Sequence, residues 1–132
     1  MPKSESYILL VEDSRADARI IFEILRNLNW KGEIEVLTNG SEVIPFLQKR
    51  AERFPRLIIL DLLLPDISGH AVLKSLKTHQ NYKNIPVLVQ SGYNFKNQAE
   101  KCFKLGARWY IKKSFELDLM ESEFEKVIKS LA

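Results

Sequence analysis

The chain holds one cysteine, Cys102, in 132 residues. No internal disulfide can brace it, and a lone thiol suits a reducing cytoplasm, the expected location. No apolar run approaches the roughly 20 residues of a membrane span. The opening Met1-Pro2-Lys3-Ser4-Glu5-Ser6 lacks the apolar centre of a secretory leader. Lys and Arg are scattered and the formal net charge is only +3, so the electrostatic footprint of a nucleic-acid binder is missing. No glycine-rich fingerprint follows the first apolar run, which argues against a dinucleotide enzyme. Repeats, linkers and low-complexity segments are absent as well. These exclusions leave one globular domain over 1–132, with 45% apolar residues for its core and none left over for an output domain.

What is present is a set of apolar runs that end in chemistry. Leu57-Ile58-Ile59-Leu60 runs into Asp61, followed by Pro65-Asp66 and Gly69. Such continuous runs are the mark of strands buried on both faces of a parallel sheet. Tyr7-Ile8-Leu9-Leu10-Val11 runs into Glu12-Asp13, Ile85-Pro86-Val87-Leu88-Val89-Gln90 into Ser91, and Trp109-Tyr110-Ile111-Lys112 into Lys113. Each ending has an ordinary explanation when taken alone. Asp61 and Ser91 are frequent turn residues, Glu12-Asp13 suits a helix start, and Lys113 suits solvent. If the strands are parallel, however, all four ends meet at one sheet edge, where open α/β sheets bind ligands. No folding argument requires that.

Between the runs lie helices. Ile20, Ile21, Ile24, Leu25 and Leu28 fall at helical spacing after a cap at Asp13 or Ser14, and Asn29 and Gly32 end that helix. Glu33 to Leu37 alternates like an edge strand. Ser41 is expected to cap a helix carrying Val43, Ile44, Phe46 and Leu47, with Pro45 in its first turn. Ala71, Val72, Leu73 and Leu76 mark a third helix. A short fourth runs from Asn97 to Leu105 and closes at Gly106. The last, Leu117 to Leu131, is expected to point Leu119, Phe124, Val127, Ile128 and Leu131 inward. The pattern is (βα)5, a doubly wound α/β fold with a five-stranded parallel sheet.

Glu12, Asp13 and Asp61 would crowd like charges that need a cation. Hard oxygen ligands suit Mg²⁺, which uses one or two carboxylates plus phosphate oxygens. A carboxylate nucleophile beside Mg²⁺ and a Lys ammonium can accept a phosphoryl group as an acyl phosphate.

In these motifs the chain resembles the receiver domain of two-component response regulators. The matching segments are Leu10-Val11-Glu12-Asp13-Ser14, Leu60 to Gly69, Ile85 to Gly92 and Gly106 to Lys113, and together they span nearly the whole chain. The resemblance implies a flavodoxin-like strand order of 2-1-3-4-5 and a phosphoryl acceptor at Asp61. It implies Mg²⁺ on Asp13, on Glu12 through water, on Asp61 and on the main-chain carbonyl of Leu63. Ser91 and Lys113 would each contact a phosphoryl oxygen, and Ser91 and Tyr110 would form the switch. The implied partners are a sensor histidine kinase and a downstream protein, met through the surface of helix four, strand five and helix five; a second copy of the chain is a further candidate. Glu12-Asp13-Ser14-Arg15-Ala16-Asp17 and Lys113-Ser114 most resemble the single-domain regulators that serve phytochrome-type kinases.

Two departures stand out. Leu63 occupies a position where the family often has a polar side chain. Ser114 follows Lys113 where the family has Pro after a cis bond, a bond costing about 2.5–4 kcal/mol before any other residue. The hold on Lys113 is therefore the point that the sequence leaves open. Two other functions fit the sequence less well. A phosphohydrolase with an Asp nucleophile would need a second acid where Leu63 stands. A phosphorylation-independent binding module would have no use for Asp61, Asp13 and Lys113.

Overall fold

The computed structural model describes residues 6–50, 53–92 and 97–131. Strands and helices alternate as β1 (Tyr7–Val11), α1 (Arg15–Asn27), β2 (Glu33–Leu37), α2 (Val43–Lys49), β3 (Leu57–Asp61), α3 (Gly69–Thr78), β4 (Val87–Ser91), α4 (Gln98–Lys104), β5 (Trp109–Lys112) and α5 (Leu117–Ser130). Every strand pair is parallel, and the order is β2-β1-β3-β4-β5. The doubly wound sheet expected from the sequence is the fold observed. Ser91 closes β4 rather than following it, one residue later than expected.

The pleat divides the core in two. Successive strand residues point to opposite faces. Tyr7, Leu9, Val11, Ile58, Leu60, Val87 and Val89 pack under α2, α3 and α4 through Val43, Leu47, Val72, Leu73, Leu76 and Cys102. Ile8, Leu10, Leu57, Ile59, Leu88 and Ile111 pack under α1 and α5 through Ile21, Ile24, Leu25, Met120, Phe124 and Val127. The three central strands are buried throughout, whereas β2 lies half-exposed at the edge.

Helix ends carry their own signals. The Ser14 hydroxyl caps α1 by accepting from the Asp17 amide at 3.2 Å, and Ser68 does the same for α3 at the Ala71 amide. Gly106 at φ 108° ends α4, donating to the Phe103 carbonyl while Ala107 donates to that of Cys102. This is a left-handed helix stop that glycine adopts without a Cβ penalty. Two expectations are corrected. Ser41 does not cap α2: it sits inside a 3-10 turn, Gly40–Glu42. The anion there is Asp66, whose carboxylate accepts from the Gly40 and Ser41 amides at 2.9 Å each. Hydrogen bonding, from Ser41 above all, holds the Asp66 carboxyl well below the usual range. Leu119 is half-exposed, and Met120 takes the inward place because it shares a helical stripe with Phe124 and Val127.

Gly69 fixes the loop after β3. Its amide donates to the Leu62 carbonyl, and a Cβ there would meet the Asp61 carbonyl oxygen at 2.3 Å and Leu62 Cα at 2.5 Å. Both obstacles are backbone and cannot swing aside. Gly69→Ala is expected to lower stability by about 1–3 kcal/mol, the usual range for overpacking. Urea denaturation checks this, and an unchanged midpoint would contradict the close approach.

Candidate functional site

The pleat also decides which side chains meet. Asp61 continues the stripe of Leu57 and Ile59, and Gln90 that of Leu88, so both face α1 and α5. Glu12 and Lys113, just past β1 and β5, join them. Ser91 and Tyr110 lie on the opposite face, toward α4.

Asp61 is 3% exposed. Its Oδ1 accepts from the Leu63 amide at 3.2 Å, and its Oδ2 accepts from Lys113 Nζ at 3.0 Å. Glu12 is fully buried beside it, while Asp13 is exposed. One carboxylate oxygen from each of Glu12, Asp13 and Asp61 lies within 4.8 Å of the others. That is a hard-oxygen set suited to a divalent cation. Three of the four expected ligands are thus brought together by their side chains. Leu63 follows on the same loop, tied to Asp61 by its amide, with its side chain half-exposed.

Lys113 Nζ meets three carboxylates: Asp17 Oδ2 at 2.7 Å, Glu12 Oε1 at 2.9 Å and Asp61 Oδ2 at 3.0 Å. Burial alone would lower its pKa. The hydrogen bonds to Asp17 and Glu12, with the Asp61 charge, overcome this and raise it. The Lys113–Ser114 bond is trans. Lys113 is instead held by its amide on the Ser91 carbonyl at 2.9 Å and by its three ion pairs. Ser114 steadies the following loop, donating its amide to Met120 Sδ and accepting from the Glu116 amide at its hydroxyl.

Burial, then the neighbouring Asp61, pushes the Glu12 carboxyl up to about 7 against the pull of Lys113. The buried Gln90 amide donates to Glu12 Oε1 at 3.4 Å. On the other face, the half-buried Tyr110 shares a side-chain hydrogen bond with the fully buried Ser91. Burial raises the Tyr110 pKa and that bond lowers it.

Sequence reasoning did not assign a role to Asp17 or Gln90. Both carried a signal. Asp17 lies four and seven residues before the buried Ile21 and Ile24, an acid in the inward stripe of a helix. Gln90 is a buried polar residue that interrupts the apolar run Val87-Leu88-Val89 before Ser91.

A doubly wound (βα)5 sheet with acids after β1 and at the end of β3, a hydroxyl at the end of β4 and a lysine after β5 defines a class. A family model for the response regulator receiver domain matches residues 8–125, and the chain belongs to that family. Its members accept phosphoryl groups on an aspartate. The response regulator Rcp1 of Synechocystis is 36% identical over 114 residues, covering 83% of this chain and 78% of that protein. The crystal structure of the phosphorylated cyanobacterial phytochrome response regulator RcpA superposes with a TM-score of 0.82 at 32% identity, covering 94% and 91% of the two chains. The Mn²⁺-bound form of Rcp1 gives a TM-score of 0.80 at 32% identity, covering 92% and 91%. Among the described residues no helix is long and apolar enough to cross a membrane.

The raised Glu12 pKa has a signed consequence. Between the ordinary 4.5 and about 7, the folded state must keep a proton that the unfolded state releases. The penalty is absent below that window and complete above it, on the order of 3 kcal/mol. Without divalent metal, Glu12→Gln should therefore raise the melting temperature at pH 8 but not at pH 4.5. Millimolar Mg²⁺ should reverse the order at pH 8, stabilising wild type more than the variant. A gain from Glu12→Gln that is independent of pH would contradict this account.

Proposed function

We propose that Asp61 accepts a phosphoryl group from the phosphohistidine of a sensor kinase, with Mg²⁺ held by Asp13, Asp61, the Leu63 carbonyl and, through water, Glu12. The observation that carries this reading is a nearly buried carboxylate at the carboxyl edge of the sheet, flanked by two acids and paired with Lys113. An Asp61 oxygen attacks the phosphorus, and the new P–O bond forms as the P–N bond breaks. The bonding pair leaves on the imidazole nitrogen. When bound, Mg²⁺ supplies charge neutralisation on the transferring group. Lys113 donates to a phosphoryl oxygen and keeps it oriented.

Ser91 is drawn toward another phosphoryl oxygen, which withdraws it from Tyr110. The half-buried ring then repacks, and the α4–β5–α5 surface changes for a downstream protein. The phosphoryl group thus shifts a two-state equilibrium. The likeness to Rcp1 and RcpA favours a phytochrome-type kinase as the donor. The phosphohydrolase alternative fails at Leu63, which offers no general acid.

With Mg²⁺ and acetyl phosphate, intact-mass measurement should show one added phosphoryl group on wild type and none on Asp61→Asn. A chelator should abolish labelling. An unlabelled wild type would refute the acceptor role, and labelling without divalent metal would refute the role of the acids.

Leu63 bears on the lifetime of the acyl phosphate. Its apolar, half-exposed side chain cannot hydrogen-bond a water approaching in line. Tyr93, expected to add bulk from the other side, lies outside the described residues. Gly92 is expected to leave the entrance open: among the described residues a Cβ there would meet only Lys113 Cδ, at 4.0 Å. Self-dephosphorylation should therefore be slow while loading is not. Leu63→Asn should shorten the lifetime by up to roughly tenfold, about 1.4 kcal/mol of barrier. A lifetime equal to or longer than that of wild type would exclude Leu63 from this role.

A further inference from the structure

We propose that Asp17 is a positioning residue of this site: it occupies Lys113 in the unphosphorylated state and competes with the incoming phosphoryl group for it. This rests on the reading of Asp61 as the acceptor. An ammonium has three N–H donors. Asp17, Glu12 and Asp61 lie at 2.7, 2.9 and 3.0 Å from Nζ, and they use all three. A phosphoryl oxygen can engage Lys113 only when a carboxylate yields.

The surroundings decide which one yields. The Glu12 side chain has no exposed surface, so no bulk water can take the place of the lysine there, and parting the two is the costly way to break an ion pair. Asp61 is the reacting group itself. The Asp17 side chain is 37% exposed, so water can resolvate it at little cost. A cleft of about 270 Å³ bounded by Asp17, Lys113 and Gly92 gives it room.

The local structure of α1 points the same way. Ser14-x-x-Asp17 has the spacing of a reciprocal capping box, in which the acid would bond back to the Ser14 amide. Only half of that box is made. The Ser14 hydroxyl accepts from the Asp17 amide, but the Ser14 amide donates to Glu12 Oε2 at 3.3 Å. The Asp17 carboxylate is thereby left for Lys113. Once released it still lies in the first turn of α1, where the helix dipole favours negative charge.

The test is the kinetics of labelling by acetyl phosphate with Mg²⁺, followed by intact mass. Asp17→Asn should lower the KM for the donor and raise the labelling rate at subsaturating donor by on the order of three- to tenfold. It should also lengthen the phosphoryl lifetime, because Lys113 is then shared between the phosphoryl group and Glu12, with no competing claim from residue 17. Asp17→Glu should restore the wild-type values. Glu23→Gln removes the same charge from the same helix, roughly 9 Å further along, and should change nothing. An unchanged or slower Asp17→Asn, or an equal gain in Glu23→Gln, overturns the proposal while leaving Asp61 as acceptor. Failure of wild type and every variant to label would instead refute the acceptor reading, and this inference with it.

Discussion

The site depends on one ammonium. Among the described residues, Lys113 Nζ is the cation paired with carboxylates that arrive from the end of β1, the first turn of α1 and the end of β3. Two carboxyl groups, Glu12 and Asp61, lie together in little water, and the ammonium offsets part of the repulsion between them. Even with it, burial and Asp61 keep the Glu12 carboxyl near 7. The lysine satisfies part of the demand for positive charge and leaves the rest to a cation from solution. That shortfall distinguishes a binding site from a closed structural ion-pair cluster, which would be neutral as it stands.

The backbone that presents these groups follows from the two-residue period of the strands. One face of the sheet carries Glu12, Asp61, Gln90 and Lys113 beneath α1 and α5. The other carries Ser91 and Tyr110 toward α4. The proposed acceptor and the proposed switch thus lie on the two faces of a single sheet and are joined at adjacent residues. The Lys113 amide is bonded to the Ser91 carbonyl, and the Ser91 side chain is bonded to Tyr110. Under the proposed switch, a charge added on the first face would have only these neighbours on β4 and β5 to cross.

The fold was legible because its strands are continuous apolar runs and its helices are periodic, and neither pattern depends on distant residues. The four strand ends were legible for the same reason, since each is the residue where a run stops. What escaped were contacts made across the chain. Ser41 looked like a cap by residue type, yet the anion at that turn is Asp66, 25 residues away. Leu119 looked like core by hydrophobicity, yet the stripe through Phe124 and Val127 selects Met120. Asp17 entered only as part of the motif from Glu12 to Asp17, with no role of its own. Only the packing of α1 against the sheet reveals that it faces Lys113.

The departure at Ser114 is resolved by the same cluster. With a trans bond and no proline ring at this position, the orientation of Lys113 rests on polar contacts. Its amide is fixed on β4, its ammonium is divided among three acids, and Ser114 bonds into the loop ahead of α5 through Met120 and Glu116. A lysine positioned by ion pairs moves when the charges around it change, and an acyl phosphate on Asp61 adds charge within its reach. The contacts that hold the resting site together are therefore also the ones that phosphorylation would rearrange.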